Sequence, residues 1–112
     1  MTNVALVVKL TAKPEAQEEL AEFLAGAVEL ANQEDGTIAW FALRTDASTF
    51  WIVDVFASER DRGRHLDGAT FSAVLDRRER LLDEPPEILR AEVLAAKLPK
   101  SSIGDDWAVH GF

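Results

Sequence analysis

The feature that most constrains the fold is a pair of runs, TIAWFALR at residues 37–44 and TFWIVDVFA at residues 49–57. Both runs are rich in β-branched and aromatic residues, and the short segment TDAS joins them, which predicts a β-hairpin. Each run is apolar at odd and at even positions, so both faces of the hairpin need cover. Because the helices of so small a chain can cover one face only, we predict that a second copy covers the other, as a homodimer.

The segments before the hairpin predict a strand and a helix. Residues 3–12, NVALVVKLTA, are β-branched and apolar and predict the strand. Pro14 then opens a helix, because a proline costs nothing at the first helical position. Apolar residues recur at helical spacing from Ala16 to Leu30 and give one apolar stripe. Asp35–Gly36 ends the helical region and turns the chain.

The segments after the hairpin predict two further helices. Ser58 and Asp61 resemble a capping box and open a short helix that carries His65. Asp67–Gly68 breaks this helix, and another is predicted from residue 69 to about residue 83. Residues 87–99, EILRAEVLAAKLP, read as a helix by propensity and as a strand by alternation. The tail, residues 100–112, has no periodicity.

Composition excludes several classes of function. The chain has 112 residues, enough for one domain, and a net charge of −8, which argues against nucleic-acid binding. It has no cysteine, so thiolate chemistry, Fe–S clusters and cysteine zinc sites are excluded. No run of 18 apolar residues and no signal peptide is evident, so we expect a cytoplasmic protein without a membrane span.

The order of elements and several motifs resemble the antibiotic-biosynthesis-monooxygenase-like family of dimeric α/β-barrel proteins. Shared features are a Lys-Pro before the first helix, a glycine before the second strand, and an acid and an aromatic ending the third strand. A serine, a helix bearing a histidine and a further aromatic follow. The segments that carry the resemblance are KLTAKPEAQEELAEFL, EDGTIAWFALRTD, TFWIVDVFASERDRGRHL and GATF.

The resemblance implies a fold and an assembly. The fold is α+β and ferredoxin-like, βαββαβ, with a four-stranded antiparallel sheet that pairs into a dimeric α/β barrel. The domain then spans residues 1–99, residues 87–98 form the last strand, and residues 100–112 are a C-terminal tail. From its large apolar residues we expect this tail to be ordered, with Trp107 or Phe112 packed on the dimer; the alternative is a frayed end in which the tryptophan is incidental.

The chain departs from the family members that degrade haem. Their iron-binding histidine aligns with Leu75, and their tryptophan aligns with His65. No matching asparagine occurs in the first strand, and the tyrosines of some quinone-forming members have no counterpart, because the chain has no tyrosine. The resemblance therefore implies no haem, and the absence of a glycine-rich nucleotide loop or of metal-ligand spacing predicts no other cofactor and no metal.

His65 and Asp54 are the candidate catalytic residues. An imidazole with a pKa near its ordinary ~6.5 can take a proton from a bound phenol; the alternative for His65 is a surface or capping role. Asp54 lies within an apolar strand, where a carboxylate needs a partner. It could orient His65 or bind a substrate hydroxyl, or it could form a structural pair with Arg44, Arg90 or a backbone donor.

A set of large apolar side chains could form a slot for a planar ligand, although aromatic residues on strands can equally be plain core. Pairing Trp40 with Val53 would put both hairpin tryptophans on one face, whereas pairing Trp40 with Asp54 would put those two together. The candidate substrate-binding residues are Trp40, Trp51, Phe56, Phe71 and Leu75.

Two functions fit these residues. The first is a cofactor-independent monooxygenase that oxidises a small aromatic or polyketide-like phenol or quinol with O₂. The second is a non-catalytic dimeric module that binds a small apolar ligand.

Overall fold

The structure is a computed structural model that describes residues 3–98. The elements of this range, in chain order, are β1 (Val4–Thr11), α1 (Gln17–Ala31), β2 (Thr37–Arg44), β3 (Thr49–Phe56), α2 (Glu59–Leu66), α3 (Ala69–Asp76), α4 (Arg78–Leu81) and β4 (Glu87–Glu92). A 3₁₀ turn at Pro14–Ala16 leads into α1. The four strands form one antiparallel sheet with a ferredoxin-like α+β fold, as the family resemblance implies, and their order in the sheet is β2-β3-β1-β4.

The helices cover one face of the sheet and enclose the core there. Alternate residues of β1 and β3 point to the helices and are buried, because side chains alternate between the two faces of a strand. On α1 the apolar stripe that the sequence predicts meets them. The largest apolar side chains that are less than 2% exposed are Phe56, Leu6, Leu10, Leu20, Leu24 and Leu81.

The register of the hairpin decides which side chains share the helix-covered face. Trp40 pairs with Asp54, so these two side chains lie side by side on that face. The next pair along, Phe41 and Val53, points to the opposite face. Of the two registers that the sequence leaves open, the structure has the one that separates Trp40 from Trp51.

No element of the described range covers the opposite face, which we call the open face. Its side chains are mostly apolar and partly exposed, and they come from all four strands. Apolar patches of this kind on single chains mark interaction sites. The homodimer stays a prediction. The open face comprises Ala5, Val7, Ala39, Phe41, Leu43, Trp51, Val53, Val55, Leu89 and Ala91.

We expect the Val53→Asp variant to be monomeric, because a carboxylate at the centre of the open face would be buried unpaired in a dimer. Sedimentation equilibrium at micromolar concentration should give twice the 12.4 kDa chain mass for the wild-type protein and the chain mass for the variant. Ala25→Asp, on the exposed side of α1, is the control and should sediment as the wild type does. A wild-type protein of 12.4 kDa would contradict the prediction.

The helix predicted from residue 69 to about residue 83 is interrupted. It breaks at Arg77, between α3 and α4. The break lets Leu81 and Leu82 turn into the core, where the Leu81 carbonyl accepts a hydrogen bond from Lys13 N at 2.9 Å. A straight helix would carry both leucines away from the end of β1.

The last strand is shorter than predicted. β4 ends at Glu92, which pairs with Val4, the first residue of β1. Val93 N still donates to Asn3 O at 3.0 Å, but β1 offers no partner beyond that point, and residues 93–98 form no strand. The tail prediction lies outside the described residues. Among the helices of residues 3–98, none has the length and apolar character needed to cross a membrane.

Candidate functional site

His65 reaches the sheet because α2 is anchored at its start and along its side. Ser58 caps the helix by accepting a hydrogen bond from Asp61 N at 3.1 Å, as the sequence predicts. Arg62 donates to the carbonyl oxygens of Ala5 and Ala91 at 3.3 and 3.2 Å. These contacts turn His65, one helical turn further on, toward the core, where it is only 5% exposed.

The imidazole of His65 lies between two carboxylates. Its Nε2 is 2.9 Å from Asp54 Oδ2, and its Nδ1 is 2.5 Å from Glu34 Oε1. The Asp54 contact is close enough for an ion pair, yet its alignment leaves both Asp54 carboxylate oxygens without a hydrogen bond among the described residues. We call Glu34, His65 and Asp54 the carboxylate–imidazole chain.

The carboxylate–imidazole chain runs from the protein interior toward solvent. The side chains of Asp54, His65 and Glu34 are 1%, 4% and 21% exposed, in that order. Glu34 is held at the outer end by two hydroxyl groups: Thr70 donates to Oε2 at 2.6 Å and Thr37 donates to Oε1 at 2.8 Å. The two threonine hydrogen bonds therefore hold the Glu34 carboxylate in place independently of its contact with His65.

Burial and charge shift all three pKa values. Burial raises the pKa of Asp54 and outweighs the opposing effect of its close contact with the His65 imidazole. Burial alone would lower the pKa of His65, but contacts with Asp54 and Glu34 outweigh it, and the pKa is raised. For Glu34, burial is outweighed by hydrogen bonds from His65 and the two threonines, so its pKa is lowered. This arrangement favours an imidazolium beside an ionised Glu34.

The aromatic side chains of Phe56, Phe71 and Trp40 surround the inner end of the carboxylate–imidazole chain. The His65 ring lies 5.0 Å from the Phe56 ring and 6.5 Å from the Phe71 ring, measured between centroids. Trp40 is partly buried against the same core, and its Nε1 is buried without a hydrogen-bond partner in the described part of the chain. The structure thus brings four candidate residues from the sequence, His65, Trp40, Phe56 and Phe71, together with Asp54.

The other two nominated residues stand apart in different ways. Leu75, on α3, packs at the edge of the helix-side core. Trp51 lies on the open face, where its Nε1 donates to Thr45 Oγ1 at 3.1 Å and Lys9 Nζ sits 5.9 Å from the ring centroid. The structure does not bring Trp51 together with Asp54 and His65.

A cavity of about 370 Å³ lies at the outer end of the carboxylate–imidazole chain. Its wall combines polar and apolar surface and is formed by the end of α1, the turn before β2, α2 and the start of α3. Gly36 is needed in this wall, because a Cβ there would come within 2.6 Å of the Asp61 side chain. The residues that line the cavity include Glu34, Gly36, Thr37, Asp61, Arg64 and His65.

Glu34 is a site residue that no pattern in the sequence indicates. It lies just before the predicted turn at Asp35–Gly36, and nothing local separates it from its neighbour Asp35. Its partners His65 and Thr70 are 31 and 36 residues away in the chain, so only the fold reveals the contact. Within residues 3–98 no group of three or more histidine, aspartate or glutamate side chains could hold a metal ion.

The raised pKa of His65 predicts a loss of stability at alkaline pH. A histidine whose pKa is higher in the folded state contributes stability that is fully present below its unfolded value of 6.5 and is lost as pH rises through the folded value. The lowered pKa of Glu34 acts on the other side, since its contribution is present above 4.5 and is lost as pH falls.

The free energy of unfolding of the wild-type protein, measured with denaturant, should therefore fall as the pH is raised above 6.5. His65→Leu should flatten this fall, and Asp67→Asn, an exposed site two residues away on the same turn, should leave it unchanged. A wild-type free energy that is constant or rises over this range would contradict the prediction.

Comparison with known proteins places this chain in a family. The antibiotic biosynthesis monooxygenase family model matches residues 3–77, and the chain belongs to this family. The structure is similar to that of the NE2512 protein of unknown function from Nitrosomonas europaea, with 50% identity and a TM-score of 0.86, covering 90% of this chain and 98% of that one.

More distant structures share the fold. The PA3566 protein from Pseudomonas aeruginosa is 24% identical, with a TM-score of 0.72 over 85% of this chain and 97% of its own. A structure named as an antibiotic biosynthesis monooxygenase is 14% identical, with a TM-score of 0.71 over 82% of this chain and 99% of its own. No curated protein matches the chain significantly.

Proposed function

We propose that this protein is a cofactor-independent monooxygenase that oxidises a small aromatic or polyketide-like phenol or quinol with O₂. Membership of the monooxygenase family supports the reaction class. One observation carries the proposal for this chain. Asp54 and Trp40 are directly paired across the hairpin, and Asp54 Oδ1, the carboxylate oxygen away from His65, and Trp40 Nε1 are both buried without a hydrogen-bond partner among the described residues.

A hydroxyl group would satisfy both of these orphaned groups. Directly opposed side chains of an antiparallel pair have Cβ atoms about 4.5–5.5 Å apart. A phenolic O–H placed between Trp40 and Asp54 can accept a hydrogen bond from the indole N–H and donate one to the carboxylate. The surrounding Phe56 and Phe71 rings supply an apolar setting for the rest of a planar ligand.

The position of Asp54 suits it to act as the base. Its raised pKa makes it a stronger base than an ordinary carboxylate, and a base works best with a pKa near the working pH. Asp54 takes the proton, the substrate anion passes an electron to O₂, and the two radicals combine to a peroxide anion. The proton returns to this anion, and the hydroperoxide loses water, so that a ring C–H of the phenol becomes a carbonyl group of the quinone: HO–Ar–H + O₂ → O=Ar=O + H₂O.

His65 has a different role from Asp54 in this scheme. Both of its ring nitrogens face carboxylates and its side chain is 4% exposed, so it holds and balances Asp54 rather than touching the substrate. Because Asp54 is itself fully buried, the substrate must reach it past the partly exposed Trp40.

Oxygen uptake tests the proposal. Purified protein is incubated with a panel of anthrones, quinols and phenols, and O₂ consumption is followed with an electrode after subtraction of the spontaneous rate. Uptake that depends on protein and substrate, with quinone formed in equal amount, supports the proposal. Tight binding of the same compounds without any uptake contradicts it.

The second candidate is a non-catalytic module, dimeric if the open face pairs as predicted, that binds a small apolar ligand. The observation that favours it is the enclosure of His65, whose two nitrogens are both occupied, as in a structural ion cluster. This candidate predicts saturable binding of phenols and of their methyl ethers with similar affinity, since a binding site that does no chemistry has no need of an ionisable hydroxyl.

A further inference from the structure

We propose that the cavity beside Glu34 is the proton port of the buried His65–Asp54 pair, and that Glu34 passes protons between water in this cavity and His65 Nδ1. The proposal deepens the proposed function and rests on it for the role of the protons. The path itself is a property of the chain alone, so it can be tested without any substrate.

The need for a port follows from burial. A base that is completely enclosed can take a proton from substrate only if the charge of its surroundings can readjust. Asp54 has no exposed surface and is flanked by Phe56 and His65. The side chain that leads outward from it is His65, and beyond His65 the next group in line is Glu34.

The geometry of Glu34 suits a transfer group. Its Oε1 lies 2.5 Å from His65 Nδ1, in direct contact and within reach of a charge-assisted hydrogen bond. The carboxylate is held by Thr37 and Thr70, so it need not reorganise when a proton arrives. Its exposed fraction, 21%, faces the cavity that the same residue lines.

The cavity is suited to hold water. At about 370 Å³, and with several charged and polar side chains in its wall, it has room and hydrogen-bond partners for several water molecules. Besides Glu34 and His65, the charged side chains that line the cavity are Asp35, Asp61 and Arg64. Arg64 lies 3.9 Å from Asp61 at the rim. Gly36 and Gly68 keep its floor free of side chains, and a Cβ at Gly68 would lie 3.5 Å from Glu34 Oε2.

The proton balance is closed. As Asp54 gains the substrate proton, His65 gives its Nδ1 proton to Glu34, which hands it to cavity water. The charge of the carboxylate–imidazole chain is then the same before and after the first step. When the peroxide anion takes its proton from Asp54, the transfers run in reverse, and no proton is gained or lost over the full reaction.

The exchange of the His65 ring protons with water measures the path directly. The two histidines are distinguished by their ring ¹⁵N resonances, with His110→Asn used for assignment. At a pH below the His65 pKa, Nδ1–H should exchange faster than Nε2–H, since Nδ1 faces Glu34 and the cavity while Nε2 faces the buried Asp54. This comparison needs only the wild-type protein.

Glu34→Gln should slow Nδ1–H exchange by roughly 10²-fold, the lower end of what a positioned proton-transfer group contributes. An amide keeps the shape of the side chain but takes up no proton. In Glu34→Ala, added formate should restore fast exchange by occupying the space left by the carboxylate. Asp67→Asn, which removes an exposed carboxylate near His65, should exchange as the wild type does.

A merely structural role for Glu34 gives the opposite result. If Glu34 only braces His65, its loss loosens the ring and speeds exchange in Glu34→Gln. Equal or faster exchange in that variant, or equal rates at the two ring nitrogens in the wild type, would overturn the proposal. Because no substrate is present, these outcomes are independent of whether the oxygen-uptake experiment succeeds.

Discussion

Replacing His65 with leucine is expected to lower the free energy of unfolding by about 3–5 kcal/mol, the range for removing one partner of a buried ion pair. Leucine can keep the packing against Phe56 and Phe71, so the loss reports the charge left behind. Asp54, with a side chain 1% exposed, would remain without the imidazole that faces it. Urea unfolding at neutral pH, analysed by linear extrapolation, measures the change.

The double variant His65→Leu with Asp54→Val separates charge from packing. Removing both members of a buried pair in favour of apolar residues is often nearly neutral. We therefore expect the double variant to be more stable than His65→Leu alone, which gives a favourable coupling in a double-mutant cycle. A double variant as unstable as the sum of the two single variants would show that the pair is held by packing and not by charge.

Replacing Asp54 with asparagine is expected to lower kcat for oxygen uptake by about 10²–10⁴-fold, the usual contribution of a positioned base. KM should change far less, because the amide can still bind a hydroxyl through its oxygen. The variant should remain folded, because an amide has nearly the shape of a carboxyl group and burial at this site works against the carboxylate charge, which is why the pKa of Asp54 is raised. Steady-state kinetics with the best substrate of the panel, and a melting curve, measure both quantities.

The two hairpin tryptophans provide a matched control for this prediction. Trp40→Phe removes the indole N–H beside Asp54 and should raise KM by roughly 2- to 10-fold, the effect of one neutral hydrogen bond. Trp51→Phe makes the same chemical change on the open face and should leave the kinetics as they were. Equal effects of Asp54→Asn and Asp67→Asn on kcat would remove Asp54 from the chemistry.

The sequence predicts the fold well where local pattern decides it. The β1 strand, the hairpin and the capped helix bearing His65 follow from alternation, aromatic content and Ser58. Helix propensity over residues 69–83 misses the break at Arg77, because the break serves contacts of Leu81 and Leu82 with the distant end of β1. The resemblance to the family overrides the helix propensity of residues 87–92, which form β4.

The candidate site is predictable only in part. Asp54 and His65 stand out as polar residues in an apolar context, and the structure puts them 2.9 Å apart. Their partner Trp40 depends on the hairpin register, which two adjacent alignments satisfy equally well in sequence. Glu34 depends on a contact across 31 residues, and nothing in its own segment indicates it.

The most direct test of the central claim is a crystal structure of the protein with a phenol that O₂ does not oxidise. The account predicts the hydroxyl oxygen within hydrogen-bond distance, about 2.5–3.2 Å, of both the Asp54 carboxylate and Trp40 Nε1. The aromatic body of the ligand should lie on the helix-covered face of the sheet, near Phe56 and Phe71. A ligand bound in the cavity beside Glu34 or on the open face, with Asp54 and Trp40 untouched, would contradict it.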